Sequence, residues 1–162
     1  MQMNALHQGE TIVALASAYG VGAVGLVRLS GSQAIAIANQ VFKGIENLLK
    51  DNGVLILEVP HLLNILNKNQ YDNIFHEHVG FHSVRSIKDL CSKNNLRLIN
   101  VEKVDSQGGS IRCFITKKNR KMKINKNLDL MIIQEKKIGL FKLKTWFEFS
   151  KRVEKHKTFL NE

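Results

Sequence analysis

Apolar residues gather along this chain in short runs separated by glycine, asparagine and serine, and the spacing inside each run predicts its element. Residues 11–18 read as a strand, a Tyr19-Gly20-Val21-Gly22 turn follows, and residues 23–30 make a second apolar run. A hairpin is the simplest connection. Ser30-Gly31-Ser32 then offers an N-cap, and Ala34, Ile35, Ile37, Ala38, Val41 and Phe42 recur at helical spacing. Gly44 should break or bend that helix, residues 45–50 resume its period, and Asp51-Asn52-Gly53 stops it.

The unbroken apolar run at residues 54–59, ending at the only proline, Pro60, reads as a buried parallel strand. A short helical patch at 61–66 and a polar stretch at 67–72 lead into Ile74-Phe75-His76-Glu77-His78. Ser83 caps a helix through Ile87, Leu90 and Cys91 to Asn94. Strands at 96–104 and 110–117, joined by Ser106-Gln107-Gly108-Gly109, should pair antiparallel. The remainder, 127–160, is helical, with Leu140, Leu143, Phe147, Val153 and Phe159 as its expected inner positions.

These elements predict an α/β fold with one mixed five-stranded sheet. The stretch at 32–50 is long enough for a right-handed crossover, so strand 23–30 should lie parallel to 54–59 with 11–18 outside it. Strand 110–117 and then 96–104 should occupy the far side.

Composition changes this picture little. A chain of 162 residues, 44% hydrophobic and 23% charged, is ordinary for one soluble domain. The net charge of +10 permits anionic partners, but residues 1–44 carry only Arg28, Lys43 and Glu10. The excess lies downstream, densest at Lys117, Lys118, Arg120, Lys121, Lys123 and Lys126, with no interleaved aromatics. Such a run reads as a solvated loop and argues against a nucleic-acid partner. Two cysteines without a CxxC pair favour a reducing, cytoplasmic setting. The apolar stretch at 11–27 lacks a basic lead and is cut by Gly20, Gly22 and Gly25, so neither export nor membrane insertion is expected.

Gly20-Val21-Gly22-Ala23-Val24-Gly25 spells a dinucleotide or S-adenosylmethionine (SAM) fingerprint after a strand. That cradle needs a helix N-terminus aimed at the ligand. Here Ser30-Gly31-Ser32 would interrupt such a helix after about two turns, so the fingerprint alone is a weak signal. Together with Thr11-Ile12-Val13-Ala14-Leu15-Ala16, Leu26-Val27-Arg28-Leu29-Ser30-Gly31 and residues 34–44, it resembles the N-terminal domain of the tRNA-modification GTPase family (MnmE, also called TrmE). The resemblance implies a dimerising module, here a homodimer, that binds 5-formyl-tetrahydrofolate. Arg28 would face the folate and the turn containing Gly20 and Gly22 would approach its pterin. No Walker A sequence follows Gly44, so GTP hydrolysis is not expected.

Two histidines at i, i+2, His76 and His78, point to one side of an extended chain. They could ligate zinc with His82, transfer protons near neutral pH, or sit satisfied in a surface loop. Three segments surround this choice: residues 46–60, Gln70-Tyr71-Asp72-Asn73-Ile74-Phe75-His76-Glu77-His78, and Gly108-Gly109-Ser110-Ile111-Arg112. In that order they resemble the SAM-dependent sugar C-methyltransferase family, over residues 45–162. The resemblance implies methylation of a carbon next to a ketone on a nucleotide-linked keto-sugar and sets the metal reading aside. His78 would remove the proton alpha to the ketone, Glu77 would orient or share it, and His76 would contact the sugar. The chain departs from the family at Phe75, where tyrosine is usual, and at Gln107, where histidine is common.

The expected organisation is therefore an N-terminal GTPase-like piece at 1–44, a partial Rossmann-like methyltransferase domain at 45–125, and a helical C-terminal region at 126–162. The glycine-rich SAM loop expected before residue 46 is missing, which predicts an inactive, truncated methyltransferase. A folate-binding or dimerisation module built on residues 1–44 is the alternative.

Overall fold

The computed structural model describes residues 12–15, 27–30, 34–74, 80–105 and 108–161, with side chains from Gln40 onward. Strands β1 (Ile12–Leu15) and β2 (Val27–Ser30) pair antiparallel, Ile12 opposite Ser30 and Leu15 opposite Val27. Helix α1 (Ala34–Leu48) follows, then β3 (Leu55–Pro60), α2 (Leu62–Lys68), a 3₁₀ turn at Tyr71–Asn73, and α3 (Val84–Lys93). Strands β4 (Leu96–Val104) and β5 (Ser110–Lys117) and helices α4 (Lys126–Ile138) and α5 (Leu143–Leu160) complete the chain.

The expected five-stranded sheet is not formed. Among the described residues there are two sheets, β1-β2 and β3-β5-β4, and β3 pairs antiparallel with β5 rather than parallel with β2. The order β3-β5-β4 and the antiparallel β4-β5 pair agree with the sequence pattern. Residues 54–59 are not buried on both sides, because Val54 is 42% and Ile56 58% exposed. Leu55, Leu57 and Val59 turn to the core, while Glu58 faces Arg112 directly across the ladder and accepts its Nε and Nη2 at 3.1 and 2.9 Å. An apolar run cannot by itself tell one buried face from two, and a half-exposed strand with a charged outward pair is tolerated at a sheet edge.

Gly44 does not break α1, which continues through it to Leu48. A lone interior glycine costs a helix only about 1 kcal/mol relative to alanine, and Phe42 and Leu49 on either side of it pack on the main core. That core joins Val84, Ile87 and Cys91 of α3, Leu96, Leu98 and Val101 of β4, Ile111, Cys113 and Ile115 of β5, and Leu128 and Met131 of α4. Burial pushes both free thiols up to about 12; for Cys113 the neighbouring Cys91 and Glu135 add to it.

A second core holds α2 against α5 through Leu63, Ile65, Leu66, Leu140 and Phe149, with Trp146 and Val153 packed on it. Leu140 and Val153 are inner positions as expected, but Leu143, Phe147 and Phe159 are exposed. Two apolar stripes compete on α5. Gly139 ends α4 in the left-handed region (φ 78°), and the helix restarts so that the 146-149-153 stripe faces inward. The Trp146 indole N–H then donates to the Leu140 carbonyl at 2.9 Å. No helix among the described residues is long and apolar enough to cross a membrane.

The basic loop after β5 is tied down. Lys117 pairs with Asp51 at 3.4 Å, Arg120 donates to the carbonyls of Asn52 and Gly53, and Arg97 donates to the carbonyls of Arg120 and Met122. The Asn125 amide reaches the Ile99 carbonyl, so the loop follows the outer edge of β4. Lysine-rich cover of this kind keeps an edge strand from pairing with other chains.

Candidate active site

The C-terminal ends of β3 and β4 and the start of β5 lie at one end of the three-stranded sheet, since Pro60 and Val104 both sit opposite Ser110. Here the chain turns twice. Pro60 ends β3, and the His61 amide donates to the Gly109 carbonyl at 3.2 Å. The Leu62 amide donates to the His82 carbonyl at 3.0 Å, and His61 and His82 form a parallel bridge. The glycine turn before β5 and the segment before α3 are thereby held on either side of residue 61.

Helix α2 supplies the other half. Asn69 caps it in the left-handed region (φ 54°), directing the chain into the Tyr71–Asn73 turn. From this helix and its cap three side chains converge on two carbonyls: Asn64 Nδ2 donates to Gly109 at 3.0 Å, Lys68 Nζ to Gly108 at 2.9 Å, and Gln70 Nε2 to Gly108 at 3.2 Å. Both glycines are needed as glycines. Their φ values are 81° and 117°, and a Cβ on Gly108 would lie 2.5 Å from the Gln70 amide nitrogen, while one on Gly109 would collide with Asn64. Beyond the turn, Tyr71 Oη is hydrogen bonded to His156 Nδ1 of α5 at 2.7 Å, and Arg152 donates to the Leu66 carbonyl at 2.7 Å.

Beneath these loops lies a buried acid. Glu135 of α4 is 0% and His61 1% exposed. The carboxylate accepts from the amides of Val84 at 2.6 Å and Arg85 at 3.3 Å, at the N-terminus of α3, and from His61 Nε2 at 2.9 Å. A buried carboxylate is tolerable only with such a full set of donors, and a helix N-terminus is where they are available. Ser83 caps the same helix by accepting from the Ser86 amide. Burial lowers the pKa of nearby His82, favouring its neutral form.

His76, Glu77 and His78 fall in residues 75–79, outside the described residues, as do Gly20, Gly22 and Gln107. Arg28 lies in β2 opposite Ala14. The described flanks of the histidine segment, Ile74 and Gly80, follow the Tyr71–Asn73 turn and precede His82, so both lead from this end of the sheet. Sequence patterning gave no role to His61, Asn64, Lys68 or Glu135, and Gln70 entered only as the first residue of the methyltransferase-like motif. Glu135 had a signal: with Leu128 and Met131 it falls on an i, i+3, i+7 stripe, obscured by the adjoining Lys136 and Lys137.

Comparison with known proteins finds both resemblances, with the N-terminal match running past residue 44. Residues 105–162 match the model of the C-methyltransferase C-terminal domain, and residues 11–75 that of the GTP-binding protein TrmE N-terminus. The chain is 32% identical to the C-methyltransferase NovU of Streptomyces niveus over 124 residues, 76% of this chain and 30% of that protein. It is 55% identical over 42 residues to the tRNA modification GTPase MnmE of Streptococcus thermophilus, covering 26% of this chain and 9% of that protein, and 56% identical over 39 residues to MnmE of Shouchella clausii, covering 24% and 8%. The chain thus spans under a third of the first relative's length and under a tenth of the other two. One part of this protein resembles C-methyltransferases, and its beginning resembles the N-terminal domain of the tRNA-modification GTPases.

Proposed function

We propose that residues 45–162 form the acceptor-handling part of a SAM-dependent sugar C-methyltransferase, able to engage a nucleotide-linked keto-sugar but not to complete methyl transfer alone. The observation that carries this reading is the convergence of Asn64, Lys68 and Gln70 on the Gly108 and Gly109 carbonyls, which holds the glycine turn against α2 and the start of the Gln70–His78 motif. The Gly108-Gly109 motif and Gln70, the first residue of the histidine-bearing segment, lie together at the end of the sheet where β3 and β4 finish and β5 begins, which supports reading that end as the acceptor side.

In this reading His78 is the catalytic base. It takes the proton from the carbon next to the ketone, and the electron pair of that C–H bond moves to give an enolate, whose oxygen needs a donor nearby. Glu77 orients the base and His76 contacts the sugar. SAM would supply the electrophilic methyl group to the enolate carbon. The described residues do not fit SAM, because none of them forms the parallel strand, glycine turn and helix N-terminus that would cradle it. The part played by this chain stops at the enolate.

Proton removal can be measured without a methyl donor. Incubated in D₂O, the protein should exchange the alpha hydrogens of a nucleotide-linked keto-sugar faster than buffer does, and His78→Ala should lose about 10²- to 10⁴-fold of that rate. Exchange no faster than buffer, or unchanged in His78→Ala, overturns the reading. Labelled SAM should transfer no methyl group to the same sugar.

A second reading, a folate-binding or dimerisation module on residues 1–44, is supported by the antiparallel β1-β2 pair followed by α1, the element order expected from the apolar pattern of the segment that carries the N-terminal resemblance. Calorimetric titration with 5-formyl-tetrahydrofolate tests it; saturable heat abolished by Arg28→Ala supports it, and no heat removes it.

A further inference from the structure

We propose that Glu135 is a positioning residue that holds the Gly108-Gly109 turn and the His82-Ser83 entry to α3 in fixed register about His61, a role that rests on reading this end of the sheet as the acceptor site. Glu135 is remote in sequence from both loops and touches neither directly. It acts through two elements. One carboxylate oxygen receives the Val84 amide and the His61 ring, and the other receives the Arg85 amide. Val84 and Arg85 open α3, the helix that follows His82 and Ser83. His61 is the residue whose amide holds Gly109, and its neighbour Leu62 holds His82. A single side chain from α4 thus fixes the hinge points of both loops.

The arrangement is more than a satisfied core group. Leu128 and Met131 on the same stripe of α4 already fill the apolar core, and an apolar residue at 135 would continue that stripe. A carboxylate is tolerated here only because three donors aim at it, and removing it would leave those donors buried and unpaired. The donors belong to the loop anchors, so the disturbance should appear at the loops before it appears in the sheet. The His61 backbone is held by the Gly109 carbonyl and the His82 bridge, so the ring that reaches Glu135 and the amide that holds Gly109 belong to one anchored residue.

The test compares amide hydrogen exchange, residue by residue, in the whole protein and in Glu135→Ala and Glu135→Gln. Glutamine keeps one oxygen that can accept from both the Val84 amide and a His61 Nε2–H, and sets its nitrogen only against the longer Arg85 contact at 3.3 Å. In Glu135→Ala the amides of His61 and Leu62, neither of which touches the carboxylate, should exchange at least tenfold faster, while β4 and β5 amides change by less than about threefold. Glu135→Gln should recover most of the protection. If Glu135→Ala fails to fold, His61→Gln replaces it, with the Leu62 and Val84 amides as readout. Unchanged exchange at His61 and Leu62 overturns the proposal; so does acceleration spread evenly over loops and sheet, which marks a purely global role. Sugar deuteration separates the two readings. If the wild-type protein deuterates no keto-sugar, the site reading fails while the exchange data still decide the role of Glu135. If it does, Glu135→Ala should slow deuteration at least tenfold and Glu135→Gln should restore it.

Discussion

Gly109 adopts φ 117° with Asn64 against the space a Cβ would fill, and its carbonyl takes two hydrogen bonds. Gly109→Ala should therefore lower stability by about 1–3 kcal/mol in denaturant unfolding, with the loss concentrated at the α2 contact. His82 adds a pH dependence. Burial holds its pKa below the ordinary 6.5, so the unfolded chain takes up a proton more readily than the folded one. Stability from this group is complete above pH 6.5 and is lost as pH falls toward the folded value. Unfolding measured from pH 7.5 down to 5 should show this decline in the wild-type protein and a shallower one in His82→Gln; parallel curves refute it. The serine cap at Ser83 and the glycines of the turn were legible in sequence, because capping and turn chemistry are local. The partnership of Glu135 and His61, 74 positions apart, was not.

Among the elements, α1 shows a weak local signal overruled by packing. Gly44 punctuates the sequence, but helical hydrogen bonding on both sides and the contacts of Phe42 and Leu49 carry the helix through. A Cβ at position 44 would meet nothing within 4 Å. Gly44→Ala should then raise stability by about 0.5–1 kcal/mol, read from the unfolding midpoint, since alanine orders at less entropic cost. A destabilised variant would mean that α1 is not continuous there. On α5 two apolar stripes were available to the eye, and the turn at Gly139 determined which faced inward. Strands β4 and β5 were read with correct bounds and pairing because a short glycine turn leaves an antiparallel hairpin little choice.

At the scale of the molecule the β1-β2 pair and the three-stranded sheet are separate ladders. Strand-breaking proline substitutions at Val13 and Ala14 should therefore leave the unfolding of β3-β5-β4, followed by amide exchange, within about 0.5 kcal/mol of wild type. A larger loss would show that the hairpin supports the sheet. The sequence by itself determined the element order, the cap of α3, the β4-β5 hairpin and the two family resemblances, all of which depend on residues close along the chain. Only the tertiary structure decided which face of β3 is buried, that the two sheets do not merge, which stripe of α5 points inward, and that an acid in a lysine-rich helix sits beneath the loops of the candidate site. Those outcomes depend on which distant surfaces meet and which buried donors need an acceptor, and neither is written in local spacing.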